Sequence, residues 1–102
     1  MPQKSWAIFF ESGAWIEIHR DTVAGRTVSF RVVMLADIGD TRYCVTRYDT
    51  AHGYAHRDVI GMKEGLRGKI ACPTFTFNQA FQYAIRDIEQ NADLYLSDFL
   101  AH

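Results

Sequence analysis

Apolar and polar residues alternate over four stretches in the first half of the chain, which is the period of half-buried β-strands. Short segments rich in Gly, Asp and Ser separate these stretches, so consecutive strands are expected to pair as an antiparallel meander. A fifth strand is expected at 58–62, and a polar, glycine-punctuated loop at 63–69 separates it from a short edge strand at 70–72. The four alternating stretches are 6–10, 14–19, 28–35 and 42–48.

The hydrophobic period changes in the last third of the chain. Apolar residues there recur at three- and four-residue steps, which predicts one long amphipathic helix over about 77–100. Thr76 and Gln79 have the spacing of a capping box at the start of this helix. The chain is therefore expected to form a single α+β domain over 1–102. It consists of a curved antiparallel sheet of four or five strands at about 4–72, with the helix packed on one face.

Both faces of this sheet are expected to be covered, because apolar residues lie on both sides of the stretches 6–10 and 32–35. One helix cannot cover both faces, so either the sheet curls around the helix or a second copy of the protein covers the free face. We predict a homodimer, since it accounts for both apolar faces. Another use of the aromatic residues is a ligand pocket between helix and sheet, although such residues more often form a core. That pocket would be lined by Trp6, Trp15, Phe30 and Phe81.

Composition and charge exclude several classes of protein. The 102 residues are 48% hydrophobic, which excludes a disordered chain, and no apolar run is long enough to span a membrane. The N-terminus has no apolar signal-peptide segment, so we expect a cytoplasmic protein without membrane contact. A formal charge of −1 argues against a strongly basic nucleic-acid binder. Eight of the eleven basic residues are Arg, however, which leaves room for a local phosphate-binding surface.

The segment 48–58 carries the candidate chemistry, since it follows a strand and holds two of the four histidines together with two aspartates and an arginine. One interpretation is acid–base catalysis without a metal, in which His52 and His56 transfer protons and Arg57 stabilises charge on a phosphate. Asp58 is the fourth catalytic candidate. Tyrosines in this segment can supply a hydrogen-bond donor or a ring on which RNA bases stack. The predicted binding residues are Tyr48, Asp49 and Tyr54.

Two other interpretations of this segment stay open. A divalent metal could be held by His52 and His56 with Asp49 or Asp58, but Gly53 makes a helix improbable here, and in a loop this spacing is only weakly diagnostic. The same polar residues can also be structural, capping a turn and bonding to the backbone. We therefore assign no metal and no cofactor.

Three residues outside the segment are given no functional role. His19 lies on the polar side of the second stretch and could approach this segment across the sheet, but it is interpreted as a surface residue. Cys44 and Cys72 lack the spacing of a disulfide framework or a zinc site, so they are expected to be reduced.

A resemblance to known proteins rests on two parts of the chain. The first is Tyr48-Asp49-Thr50-Ala51-His52-Gly53 followed by His56-Arg57-Asp58, and the second is the predicted helix with Ala84-Ile85-Arg86-Asp87-Ile88-Glu89-Gln90-Asn91. They resemble a family of small uncharacterised prokaryotic proteins with a Tyr-Asp-x-Ala-His-Gly…His-Arg element and a terminal Ala-Ile-x-Asp-Ile-x-x-Asn helix. More distantly, the chain is similar to the TumE-like toxins of toxin–antitoxin modules, which have a small sheet, a Tyr-Asp-Asn-Ala-type strand end and a final helix. The second resemblance implies a toxin directed at translation or nucleic acid and neutralised by a partner antitoxin.

Two function hypotheses follow. The first is a toxin-like protein that acts on RNA through the His/Arg loop, with an antitoxin or another protein as partner. The second is a non-catalytic, dimeric binding or adaptor module that recognises a protein or a small ligand. Catalysis requires His52 and His56 to lie within hydrogen-bonding reach of each other or of one common cavity.

Overall fold

Over residues 3–71, six strands follow one another in chain order, and each is antiparallel to the one before it. The structure is a computed structural model that describes residues 3–73 and 76–102. A short 3₁₀ turn at Ala51–Gly53 interrupts the meander between the fourth and fifth strands. The elements are β1 (Gln3–Phe9), β2 (Trp15–Val23), β3 (Arg26–Ile38), β4 (Thr41–Asp49), β5 (His56–Gly61), β6 (Gly65–Ala71) and α1 (Phe77–Ala101).

The α+β class, the curved antiparallel sheet and the single C-terminal helix are as predicted, but the predicted count of four or five strands is wrong. In the described part of the chain the sheet has six strands, because the segment predicted as a loop at 63–69 mostly belongs to β6. Nearly all side chains of β6 are exposed at the sheet edge, so no buried face imposes an apolar alternation on its sequence. Main-chain pairing with β5 defines this strand instead.

Helix α1 packs across β3, β4 and β5 and defines one side of the sheet, here called the helix face; the opposite side is called the open face. On the helix face, the ring of Phe81 meets those of Trp6 and Phe30 edge-on, at centroid distances of 6.0 and 5.6 Å. Trp15 lies on the open face, where it stacks on Phe9. The predicted pocket lined by four aromatic residues therefore does not form, because side chains alternate between the faces of a strand.

Both ends of α1 are satisfied by specific hydrogen bonds. Thr76 Oγ accepts a bond from the Gln79 backbone N–H at 3.1 Å, which confirms the Thr76 half of the predicted capping box. At the other end, the His102 carbonyl oxygen accepts bonds from the backbone N–H groups of Lys63 and Glu64 in the β5–β6 turn, at 3.2 and 2.9 Å. Carbonyls at a helix C-terminus lack intrahelical partners, so these bonds attach the helix end to the sheet. Among the described residues, no helix is both long and apolar enough to cross a membrane.

Candidate functional site

A row of polar side chains crosses the open face at the same level of five neighbouring strands. The strand register places Ser5, His19, Arg31, Asp49 and His56 directly opposite one another, from β1 to β5. Ser5 Oγ lies 2.9 Å from His19 Nδ1, and Asp49 Oδ1 lies 3.1 Å from His56 Nε2. Because paired residues of neighbouring antiparallel strands are only about 5 Å apart, the row is a continuous polar surface.

Arg31 occupies the middle of this row and lies in a groove of about 540 Å³ on the open face. Its side chain is exposed and makes no hydrogen bond or ion pair with any residue in the described ranges 3–73 and 76–102. Asp49, its partner on β4, instead accepts a bond from the Ala51 backbone N–H at 3.0 Å and contacts His56. The guanidinium of Arg31 is therefore free to bind a ligand in the groove.

Asp58 and His56 lie at the β4–β6 end of the open face and are fully buried. The Asp58 carboxylate accepts bonds from Lys69 Nζ at 2.7 Å and from Arg47 Nε at 2.5 Å. Burial by itself raises the pKa of this carboxyl group, but the hydrogen bonds from Lys69 and Arg47 outweigh it and hold the pKa below its usual range. Asp58 is thus a buried carboxylate with two resident cations.

The ring of His56 is held on both sides. Its Nδ1 lies 3.2 Å from the Tyr54 carbonyl oxygen, and its Nε2 faces Asp49 at 3.1 Å and Asp58 at 3.5 Å. Lys69 Nζ also approaches Nε2, at 3.4 Å. With both nitrogens in contact with the protein and no exposed surface, His56 is placed to orient Asp49 rather than to meet a ligand directly.

Asp49, His56 and Asp58 offer ligand atoms that all lie within 4.8 Å of one another, so these three residues could hold a metal ion. The set differs from the metal site considered from the sequence, which used His52 and His56 with one aspartate. The charge balance disfavours a divalent cation, because Lys69 and Arg47 already bond to Asp58. A metal ion would have to displace these two cations or bind beside them.

The 3₁₀ turn places three aromatic rings together beside the groove. The His52 ring lies 6.4 Å from the His56 ring, and the Tyr54 ring lies 4.9 Å from it on centroid distances. His52 and Tyr54 are exposed, whereas His56 is buried between them and the sheet. His52 and His56 are therefore neighbours, but no hydrogen bond joins them among the described residues and only His52 reaches solvent, so the acid–base interpretation stays a prediction.

Tyr48 and Arg57 lie on the helix face, on the other side of the sheet from the histidines. Tyr48 donates to Asp87 Oδ2 at 2.7 Å, Tyr95 donates to the same oxygen, and the Arg57 guanidinium lies 4.7 Å from the centre of the Tyr95 ring. Burial and the bond to Asp87 raise the pKa of Tyr48 well above its usual range and the pKa of Tyr95 to about 12. Arg57 also donates to Thr46 Oγ at 3.1 Å.

The predicted site residues therefore separate into two groups. Consecutive residues on a strand point to opposite faces, which divides His56, Arg57 and Asp58 between the open and helix faces. Sequence reasoning missed the other polar residues that lie beside His56 and Asp58 on the open face, since their positions depend on strand register. These residues are Ser5, Arg31, Arg47 and Lys69, whereas the approach of His19 across the sheet was considered and set below a surface role.

Comparison with known proteins adds a family but no activity. No curated protein and no solved structure matches the chain. One family model, described as a domain of unknown function, matches residues 1–102. The chain therefore belongs to the family of the domain of unknown function DUF7718.

Proposed function

We propose that this protein acts on RNA and binds the RNA backbone in the groove around Arg31. The observation that carries the proposal is the state of Arg31, an exposed guanidinium between His19 and Asp49 with no bond to another described residue. The planar fork of an arginine matches the geometry of a phosphate, and a groove brings further groups to the same ligand.

The neighbours of Arg31 favour RNA over DNA. Asp49 supplies carboxylate oxygens, and the Ser5–His19 pair supplies a hydroxyl and an imidazole at the same level of the sheet. Such groups can bond the ribose 2′-hydroxyl, which is the group that distinguishes RNA from DNA. Since the chain carries a net charge of −1, we expect few phosphate contacts and a shallow dependence of affinity on salt.

In this proposal the predicted site residues have different roles. His52 and His19 are the imidazoles that can meet RNA, because both reach solvent on or beside the open face. The buried His56 positions Asp49, and the buried Asp58 positions Arg47 and Lys69. Arg57 holds the helix against the sheet through Tyr95 and is not assigned to the ligand.

Direct binding tests the proposal. A fluorescein-labelled single-stranded RNA and the DNA of the same sequence are titrated with the protein, and fluorescence anisotropy is measured. Arg31→Gln should weaken RNA binding by roughly tenfold, the value of one charge-assisted phosphate contact. Arg86→Gln, a change at an exposed position on α1, is the matched control and should bind like the wild type. Equal affinities for the two variants, or no RNA binding at all, would contradict the proposal.

The toxin-like activity predicted from the sequence is a second step of the same proposal. Inducible expression in bacteria of the wild type, Arg31→Gln and the double variant His52→Ala/His56→Ala tests it by growth and by the integrity of total RNA. Growth arrest with RNA damage that all these substitutions relieve, in proteins that remain folded, would support a toxin that acts on RNA. Harmless expression together with RNA binding in solution would leave a non-catalytic RNA-binding module.

A further inference from the structure

The three-ring cluster of His52, Tyr54 and His56 is the feature of the open face that phosphate binding does not use. Its two outer rings are exposed, and the accessible fraction of Tyr54 is 43%. The central ring of His56 is fully buried, and the outer rings of His52 and Tyr54 lie beside it at centroid distances of 6.4 and 4.9 Å. Exposed aromatic rings are the kind of surface on which nucleic-acid bases stack.

The backbone of the turn holds these rings in place. His52 has a φ of +68° and Gly53 a φ of +83°, so a histidine occupies the left-handed region that favours glycine. Residues in sparsely populated backbone conformations persist where the surrounding structure holds them, and they cluster at functional sites. Here Asp49 Oδ1 accepts a bond from the Ala51 backbone N–H at 3.0 Å, and Thr50 carbonyl oxygen accepts one from that of Gly53 at 3.3 Å.

The turn is also fixed relative to the groove. Thr50 Oγ accepts a bond from the backbone N–H of Phe30 at 3.2 Å, one residue before Arg31 on β3. Asp49, Thr50 and Ala51 line the groove, and His52 follows them directly. Arg31 and the base of the ring cluster at His56 lie two strands apart, which is about 10 Å, so one bound strand can contact both.

We infer that the ring cluster stacks unpaired bases, so that the ligand of this site is single-stranded RNA. The inference rests on the proposed function, since Arg31 supplies the phosphate contact. The bases of a duplex are stacked on one another and cannot lie flat on an exposed side chain, whereas a single strand can turn its bases onto His52 and Tyr54.

Three probes separate this inference from the proposed function: a fluorescein-labelled single-stranded RNA, its duplex with the complementary strand, and an abasic ribose-phosphate strand. Affinity is measured by anisotropy with the intact protein. The wild type should bind the single strand roughly tenfold more tightly than the other two probes. Tyr54→Leu should lose that preference, whereas Tyr54→Phe should keep it. Tyr83→Leu removes a tyrosine of similar exposure from α1 and should not change it.

A second variant guards against effects on folding. His52→Gly removes a ring and also relieves the positive φ, so its melting temperature should not be lower than that of the wild type while its affinity for the single strand falls. Equal binding of the single and abasic strands, with no effect of Tyr54→Leu or His52→Gly, would overturn stacking. If Arg31→Gln still weakened binding in that case, the proposed function would survive. If none of the three probes bound, both the stacking inference and the proposed function would be refuted.

Discussion

At the scale of single residues, Asp58 is a buried charge held from two neighbouring strands. Its carboxylate is fully buried and receives hydrogen bonds from Lys69 and Arg47. A buried carboxylate is costly without partners, so the folded state favours the charged form only while these two cations are in place. The ion pairs thus join β5 to both neighbouring strands, because Arg47 lies on β4 and Lys69 on β6.

We predict that Asp58→Asn lowers the free energy of unfolding by about 1–3 kcal/mol at neutral pH, since it weakens charged hydrogen bonds. The folded-state pKa of Asp58 lies below the unfolded value of 3.8. Its stabilising effect is therefore present above that value and is lost as pH falls through the folded pKa. The difference between wild type and variant, measured by denaturant unfolding, should shrink in acid.

Asp37→Asn is the matched control for this prediction. Asp37 also bonds to an arginine, Arg42 at 2.9 Å, but both side chains are more than half exposed. Solvent screens such a pair, so the substitution should change stability much less. If Asp58→Asn proved as mild as Asp37→Asn, the buried ion pairs would not hold the strands as described.

The bonds of two tyrosines to the shared acceptor Asp87 predict that the protein loses stability in alkali. Tyr48 and Tyr95 both donate to its Oδ2, and the folded-state pKa of Tyr95 is about 12. A folded pKa above the unfolded value of about 10 gives stability that is present below pH 10 and lost as pH rises through the folded pKa. The free energy of unfolding should therefore fall between about pH 10 and pH 12, and denaturant unfolding followed by circular dichroism, alongside tyrosinate absorbance, would measure this loss.

Tyr95→Phe tests the cause of that transition. Without its hydroxyl, the alkaline loss of stability should become smaller, whereas Tyr54→Phe on the open face should leave it unchanged. Ionisation of all five tyrosines at their ordinary pKa in a protein that stays folded would refute the assignment.

At the scale of elements, the contact between β5 and the end of α1 depends on a residue without a side chain. A Cβ at Gly61 would lie 2.8 Å from atoms of His102, whereas a Cβ at Gly68 on the neighbouring strand would meet nothing within 4 Å. We predict that Gly61→Ala destabilises the protein by about 1–3 kcal/mol, because the helix end or the strand has to shift. In a domain of this size, thermal unfolding should show a loss of about 4–8 °C per kcal/mol.

Gly68→Ala provides the matched comparison for Gly61→Ala. It also places alanine in a strand but meets no obstacle, so it should leave the melting temperature unchanged or raise it slightly. Equal effects of the two substitutions would mean that the helix end is not packed against β5.

The elements differ in how far the sequence predicts them. Strands β2 to β4 and the helix bury one side against a common core, so their hydrophobic period reveals them, whereas β1 adds only the half-buried Ile8 to that core. Strand β6 has no buried side, and its glycines and charges are typical of a loop. Element type can be predicted where burial constrains sequence, and β6 is held by main-chain bonds that leave little trace in the side chains.

The candidate site was predicted only in part, for a related reason. The segment 48–58 does contain the ring cluster and the buried pair His56 and Asp58. Its partners Arg31 and Lys69 are brought to it by strand register, which a short-range pattern does not determine. Arg57 was grouped with the histidines because the segment was treated as a loop, whereas strand geometry turns it to the helix face.

At the scale of the whole molecule, the open face has two ends of different character. The polar end carries Ser5, His19 and Arg31, and the apolar end carries the stacked pair Phe9 and Trp15. The two ends lie four residues apart along the strands, which is about 13 Å. Phe9 has an accessible fraction of 75%, so α1 leaves part of the apolar surface of the sheet uncovered.

The homodimer predicted from the sequence stays a prediction, and this apolar end is where we expect a second copy to pack. Light scattering should then give a mass near twice 11.7 kDa, and Phe9→Ser should reduce it to that of the monomer. Leu94→Ser changes an exposed leucine on α1 and should leave the dimer intact. Because the RNA groove lies at the other end of the face, Phe9→Ser should not change RNA affinity per chain. A monomeric wild type at high concentration would refute the dimer, and dissociation by Leu94→Ser would place the interface on the helix instead.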